Sequence, residues 1–197
     1  MRVNLQTAGA EVHPCRERVG LALAVFLAAA LPGVAEPRSE YGEIELIRDT
    51  WGIPHVFSAT DAGAMYGLGY ATAEERGFQM TYSLRIIQGR LAEIVGERQR
   101  GNRNETAVDH DRKMRTFGFH RAAQRTAAAL EPETRGLLQA YCDGVNAYFR
   151  DHRDDLHPLF ARLGLEPEPW TPADCLMSWW HLAQFFATDG TRDLIAA

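Results

Sequence analysis

The residues able to do chemistry are few and scattered along the chain. His55 follows Pro54 in WGIPHVF, where a histidine can act as a general base or hold a turn through a hydrogen bond; the turn-holding role is the simpler reading. His181 stands in SWWHLAQFF, an apolar stretch that suits a core or pocket-wall histidine better than a base. Glu74, Glu75 and Arg76 are consecutive, and Arg76 falls seven residues after Gly69, close to two helical turns along one side. A buried ion pair through Arg76 and a solvated charged face both remain open. Asp189 and Asp193 are four apart and offer oxygens to a calcium ion, or are simply solvated. The chain has no G-x-S-x-G, H-E-x-x-H or P-loop lysine, and YGLGY is not a phosphate loop, because its glycines lie inside a helical pattern rather than opening one.

These residues must be positioned by a mostly helical chain. Ile44 and Leu46 alternate with Glu43 and Glu45, DTWG reads as a turn, and HVFSA returns as a second strand, which together make a short β-hairpin. Thr60 and Asp61 cap a helix running from near Ala62 to about Gln88. Glycine inside a helix costs about 1 kcal/mol relative to alanine, so Gly63 and Gly67, in line with Ala71 at a spacing of four, mark a face against which another backbone packs closely. QGRLAEIVGE restarts a shorter helix ending at Gly96, and residues 97–110 read as a polar loop. One amphipathic helix is expected over DRKMRTFGFHRAAQRTAAAL, with Phe119, Ala123 and Leu130 on its apolar side. The next begins at Pro132 and buries Leu137, Leu138, Tyr141, Val145 and Tyr148. After the connector LGLEPEPW, Thr171, Pro172 and Asp174 start a last helix, apolar nearly all round and therefore expected to be fully buried.

The totals narrow the class. There are 197 residues, 46% hydrophobic and 24% charged, an ordinary globular composition of one domain or a piece of one. A net charge of -5 argues against a nucleic-acid partner. Arg2, Arg16 and Arg18 precede the apolar run VGLALAVFLAAAL, and Gly33 and Ala35 follow at the small-residue positions of a cleavage site. Residues 1–35 thus read as a secretory signal peptide, and the 13-residue run is too short for a stable membrane anchor. Secretion would leave Cys142 and Cys175 in residues 36–197, where an oxidising compartment permits a bridge; their helical, apolar surroundings point instead to two buried free thiols. With no histidine at ligand spacing they make a poor zinc site.

Five segments, in order, resemble the penicillin acylase family. RDTWGIPHVFSA is similar to its R-D-x-x-G-[IVM]-P-H-[IV]-x-A opening, and YGLGYATAEERGFQM to its Y-G-x-G-Y-x-x-A-x-[DE]-R-x-x-Q-M segment. QGRLAEIVG, LLQAYCDGVNAYF and PEPWTPAD resemble three further motifs, so the series covers about residues 43–193. The resemblance implies an N-terminal nucleophile hydrolase: a secreted zymogen that cuts itself into an α-chain and a β-chain, exposing a serine, threonine or cysteine at the β-chain N-terminus. That residue's own amine activates its hydroxyl or thiol, which attacks a linear amide and forms an acyl-enzyme. It also implies an α+β fold, with this chain as a mostly helical α-chain portion bearing a short hairpin. A β-chain not present here would complete a four-layer αββα sandwich. The glycine-striped helix would pack against that β-chain.

On this reading no catalytic residue lies in the chain, and the ending RDLIAA is expected to be a truncation of the α-chain. Counting from Trp170, the resemblance places a structural calcium ligand on Asp193, where the family has glutamate, and the acyl-pocket wall on Ala183 and Ala187, with Phe186 one residue away. Alanines there imply a pocket roomier than one built for phenylacetyl, open to penicillin, cephalosporin side-chain or acyl-homoserine lactone substrates. No organic cofactor is implied. The partners expected are the β-chain of the same precursor and a small-molecule amide, and the location is periplasmic or secreted. Two other classes stand beside this one: a freestanding, non-catalytic helical binding protein derived from the α-chain, and a signal-anchored membrane protein.

Overall fold

The computed structural model describes residues 2–3, 40–98 and 105–187. The expected leader lies outside these apart from Arg2–Val3, which forms a two-residue strand β1. β1 pairs parallel with β2 (Ile44–Arg48), and β2 pairs antiparallel with β3 (Pro54–Ser58) in the register Leu46↔Val56. The hairpin forms because its turn is self-sufficient. Asp49 Oδ1 accepts from the backbone N–H of Trp51 (2.8 Å) and Ile53 (2.9 Å), and Gly52 takes the positive φ of 80° that the turn requires. Alternation then puts Ile44 and Leu46 in the core and leaves His55 and Phe57 exposed.

Among the described residues seven helices follow: α1 (Asp61–Ile87), α2 (Ala92–Val95), α3 (Ala107–Phe117), α4 (Phe119–Ala129), α5 (Pro132–Asp151), α6 (Leu159–Leu163) and α7 (Pro172–Phe186). α1 begins where the sequence places it, with Thr60 Oγ1 accepting from Gly63 N–H at 3.0 Å. The expected single helix over residues 111–130 is corrected to two. Gly118 adopts a left-handed φ of 71°, which ends α3 and starts α4. Part of the expected 97–110 loop is helical as well, because Thr106 and Asp109 form a capping box that starts α3 at Ala107.

α1 and α5 form the centre of the molecule. A β-carbon at Gly69 would overlap the Tyr141 carbonyl oxygen, one at Gly144 would overlap that of Tyr66, and one at Gly77 would lie 2.9 Å from the Phe149 ring. These contacts hold α1 and α5 together, backbone nearly on backbone. The Gly63–Gly67 stripe has a partner within this chain. A β-carbon at Gly67 would overlap Val56 and stand 3.0 Å from Ile44 Cγ2, so the stripe receives the hairpin, not the second chain expected from the sequence. The core gathers Val145, Cys142 and Met177, all fully buried, with Phe119, Phe160 and Trp170 around them. α5 buries its small residues Ala140, Gly144 and Ala147 with Val145, while Leu137, Leu138, Tyr141 and Tyr148 are only half-buried. Among the described residues no helix is long and apolar enough to cross a membrane.

Candidate functional site

α1, α5 and α7 enclose an open groove of about 850 Å³. Its position follows from two local devices. Asn146 on α5 accepts from Trp170 N–H (2.7 Å) and donates to the Trp170 carbonyl (2.9 Å), fixing the connector ahead of α7. Asp174 then accepts from the Thr171 N–H (2.9 Å) and hydroxyl (2.6 Å), which starts α7 at that point. Residues of α7 at helical spacing (Cys175, Ser178, Trp179 and Leu182) form one wall, and Met65, Leu68 and Met80 of α1 form the other. Arg76 and Gln79 are the polar edge, and Arg76 Nη1 donates to Gln79 Oε1 at 3.5 Å.

The last helix is not buried as its composition predicts. Trp179 is 69% exposed, Phe185 64% and Phe186 75%, so α7 turns an apolar face outward beyond the groove. Ala183, Phe186 and Ala187 come together at the C-terminal end of this face, all exposed, past the groove wall rather than inside it. Asp189 and Asp193 lie outside the described residues. Among the described residues no three acidic, histidine or cysteine side chains stand together as a metal site.

The other sequence candidates resolve into structural roles. His55 Nε2 lies 3.3 Å from Asp49 Oδ2, so it braces the hairpin turn. The Ile53 N–H, with His55 and the Trp51 N–H adding to it, holds the Asp49 carboxyl below the usual carboxylate range against the opposing effect of desolvation. His181 packs edge-to-face on Phe119, with ring centroids 5.7 Å apart. A buried ion pair through Arg76 does not form. Arg76 is exposed, and Glu74 and Glu75 instead pair with Arg48 of β2, the latter at 2.7 Å, tying the hairpin to α1.

Three features of the site were not foreseen in the sequence. The groove itself depends on how α1 and α7 cross, which no local pattern encodes. Asp111, buried, accepts from the Leu91 (2.8 Å) and Ala92 (2.8 Å) N–H groups and so anchors α2; its one signal was a carboxylate on an otherwise buried helical face. Arg90 bridges Glu93 and Glu168, and Arg85 reaches Glu168 at 2.8 Å, which locks the connector to the end of α1.

Comparison with known proteins places the chain. The family model described as penicillin amidase matches residues 43–197. The chain is 34% identical over 152 residues to penicillin G acylase of Escherichia coli, covering 75% of this chain and 17% of that protein. It is 36% identical over 132 residues to the acyl-homoserine lactone acylase QuiP of Pseudomonas aeruginosa, covering 66% of this chain and 14% of that one. The structure matches a thermostable penicillin G acylase from Alcaligenes faecalis with a TM-score of 0.66 and 33% identity, covering 78% of this chain and 80% of that chain. The chain therefore spans about one sixth of the length of the curated relatives, while the solved chain it overlays is close to its own length.

Proposed function

The chain belongs to the penicillin amidase family, and from that premise we propose that it is the α-subunit portion of a secreted acylase that hydrolyses the linear amide bond of an N-acylated substrate. The nucleophile belongs to the N-terminus of a β-chain cut from the same precursor. The observation that carries this reading is the match of residues 43–197 to the penicillin amidase family model, together with similarity to acylases of which the chain makes up only 17% or less. In this division of labour the partner supplies the attacking group and the oxyanion donors. This chain supplies a wall for the acyl group and a rigid support for it.

The acyl wall is the outer face of α7. Ala183 and Ala187 leave room beside Phe186, and Trp179 and Leu182 extend the apolar surface toward the groove. A wide apolar wall binds a long acyl chain by area, at about 25 cal/mol per Å² buried, and discriminates poorly between neighbouring chain lengths. The substrate class is accordingly an N-acyl amide of the penicillin, cephalosporin side-chain or acyl-homoserine lactone type, with the longer acyl groups favoured.

The test is to express the complete reading frame that contains this chain and assay release of free amine from phenylacetyl and long-chain N-acyl amides. Hydrolysis is expected, with Ala183→Phe lowering kcat/KM for the long acyl group by roughly tenfold or more and sparing the short one. A product that binds N-acyl amides without hydrolysing any of them would overturn the enzyme reading in favour of a non-catalytic binding protein.

A further inference from the structure

Two thiols meet where the groove touches the core. Cys142 of α5 is fully buried, and Cys175 of α7 lines the groove and is partly exposed. Their sulfurs lie 3.7 Å apart, in contact, across a separation of 33 residues. The Trp170 indole N–H donates to Cys175 Sγ at 3.1 Å, and Trp170 is itself held by both hydrogen bonds of Asn146. The pair is asymmetric in access and in chemistry. The hydrogen bond from Cys142, with that from Trp170, draws the Cys175 thiol below its ordinary range against the opposing effect of burial. Donating that hydrogen bond, together with burial, pushes the Cys142 thiol up.

We propose that Cys142 and Cys175 are a reactive dithiol that closes to a disulfide between α5 and α7, with Cys175 as the entry thiol reached through the groove and Cys142 as the resolving thiol behind it. The oxidant is a disulfide, carried by a thiol–disulfide oxidoreductase or a small thiol. Cys175 thiolate attacks one sulfur of that disulfide; the S–S bond breaks and the first thiol leaves. Cys142 gives its proton to solvent or to the departing thiolate, and its sulfur attacks Cys175 Sγ, releasing the second thiol. Two protein thiols are oxidised to one disulfide and the oxidant is reduced to two thiols. The sulfurs must approach from 3.7 Å to the bonded distance of about 2.05 Å, a movement within reach of side-chain rotation and a small shift of α7. Closure pins the groove wall formed by α7 to the central helix pair. It therefore fixes the position of Ser178, Trp179 and Leu182.

The experiment equilibrates the purified product of the complete reading frame in glutathione buffers of stepped potential, then quenches with acid, alkylates and maps peptides by mass. The wild type is expected to show a Cys142–Cys175 cross-link, and its thermal midpoint to lie above that of the reduced form. Cys142→Ala should accumulate a glutathione adduct on Cys175, whereas Cys175→Ala should leave Cys142 unmodified. Should either variant fail to fold, early quenching of the wild type gives the same order, with the adduct appearing on Cys175 first. Two alkylatable thiols persisting in fully oxidising buffer would overturn the proposal. A first adduct on Cys142 would overturn the assignment of entry and resolving roles.

Discussion

Glycines at matched helical positions behave oppositely here, because space and not propensity decides. At Gly69 and Gly144 a methyl group would meet a backbone carbonyl that cannot move aside, so Gly69→Ala or Gly144→Ala must part α1 from α5. Overpacking of this kind costs about 1–3 kcal/mol or more. Gly136, near the start of α5, has nothing within 4 Å of its would-be β-carbon. There the ordinary propensity returns, and Gly136→Ala should stabilise by up to about 1 kcal/mol. Thermal melts of Gly69→Ala and Gly144→Ala should fall below the wild type and that of Gly136→Ala should rise above it; shifts of one sign in all three would refute the close crossing. Asp49 gives a second test. Its pKa is lowered in the folded hairpin by the Ile53 N–H and then by its other partners. A depressed carboxyl stabilises the fold fully above its unfolded pKa of about 3.9 and loses that contribution as pH falls through the folded value. The stability difference between wild type and Asp49→Asn should therefore be constant near neutrality and shrink below about pH 4, as read from thermal midpoints across that range.

At the scale of elements, the signals that held were those written in a few adjacent residues. The turn residues Asp49 and Gly52, the cap Thr60 and the Thr171–Asp174 box set boundaries that the structure keeps. The signals that failed needed knowledge of a neighbour. Phe117 and Phe119 flank Gly118 in an apparently continuous amphipathic pattern, yet the chain breaks there because a left-handed glycine lets α4 leave α3 and pack on α7. The glycine stripe was legible as a packing face, but not what it would meet. The apolar girdle of α7 was legible as something to be covered, and the described chain leaves Phe185 and Phe186 outward. The link that sets α7 in place, Asn146 to Trp170, spans 24 residues and carries no local signature. Asn146→Ala would leave the Trp170 N–H and carbonyl without these partners, at about 1–3 kcal/mol for each polar group left unsatisfied. Hydrogen exchange should show α7 opening well before α1 and α5. Uniform protection across the three helices would contradict the anchoring role.

At the scale of the molecule, the two thiols and the outward face of α7 belong to one problem, which is how a helix forming one wall of a groove is kept in place. In the chain-entropy model, closing a loop of 33 residues contributes about 3–4 kcal/mol. That is a large fraction of the stability of a small domain. An apolar face carrying Trp179, Trp180, Phe185 and Phe186 also makes residues 36–197 prone to self-association when produced alone. They should bind a hydrophobic dye strongly and run as large species by light scattering. The product of the complete reading frame should do neither.

The most direct measurement follows from the absence of a proposed nucleophile in this chain. The protein from the complete reading frame would be treated with an acylating inhibitor that forms a stable adduct on an N-terminal nucleophile, and the adduct located by peptide mass mapping, beside the same treatment of residues 36–197 alone. Amide hydrolysis should be lost in step with one adduct on the N-terminal residue of the partner segment, and none should form within residues 36–197. An adduct on this chain that tracks inactivation, or amide hydrolysis by residues 36–197 without any partner, would contradict this placement of the nucleophile.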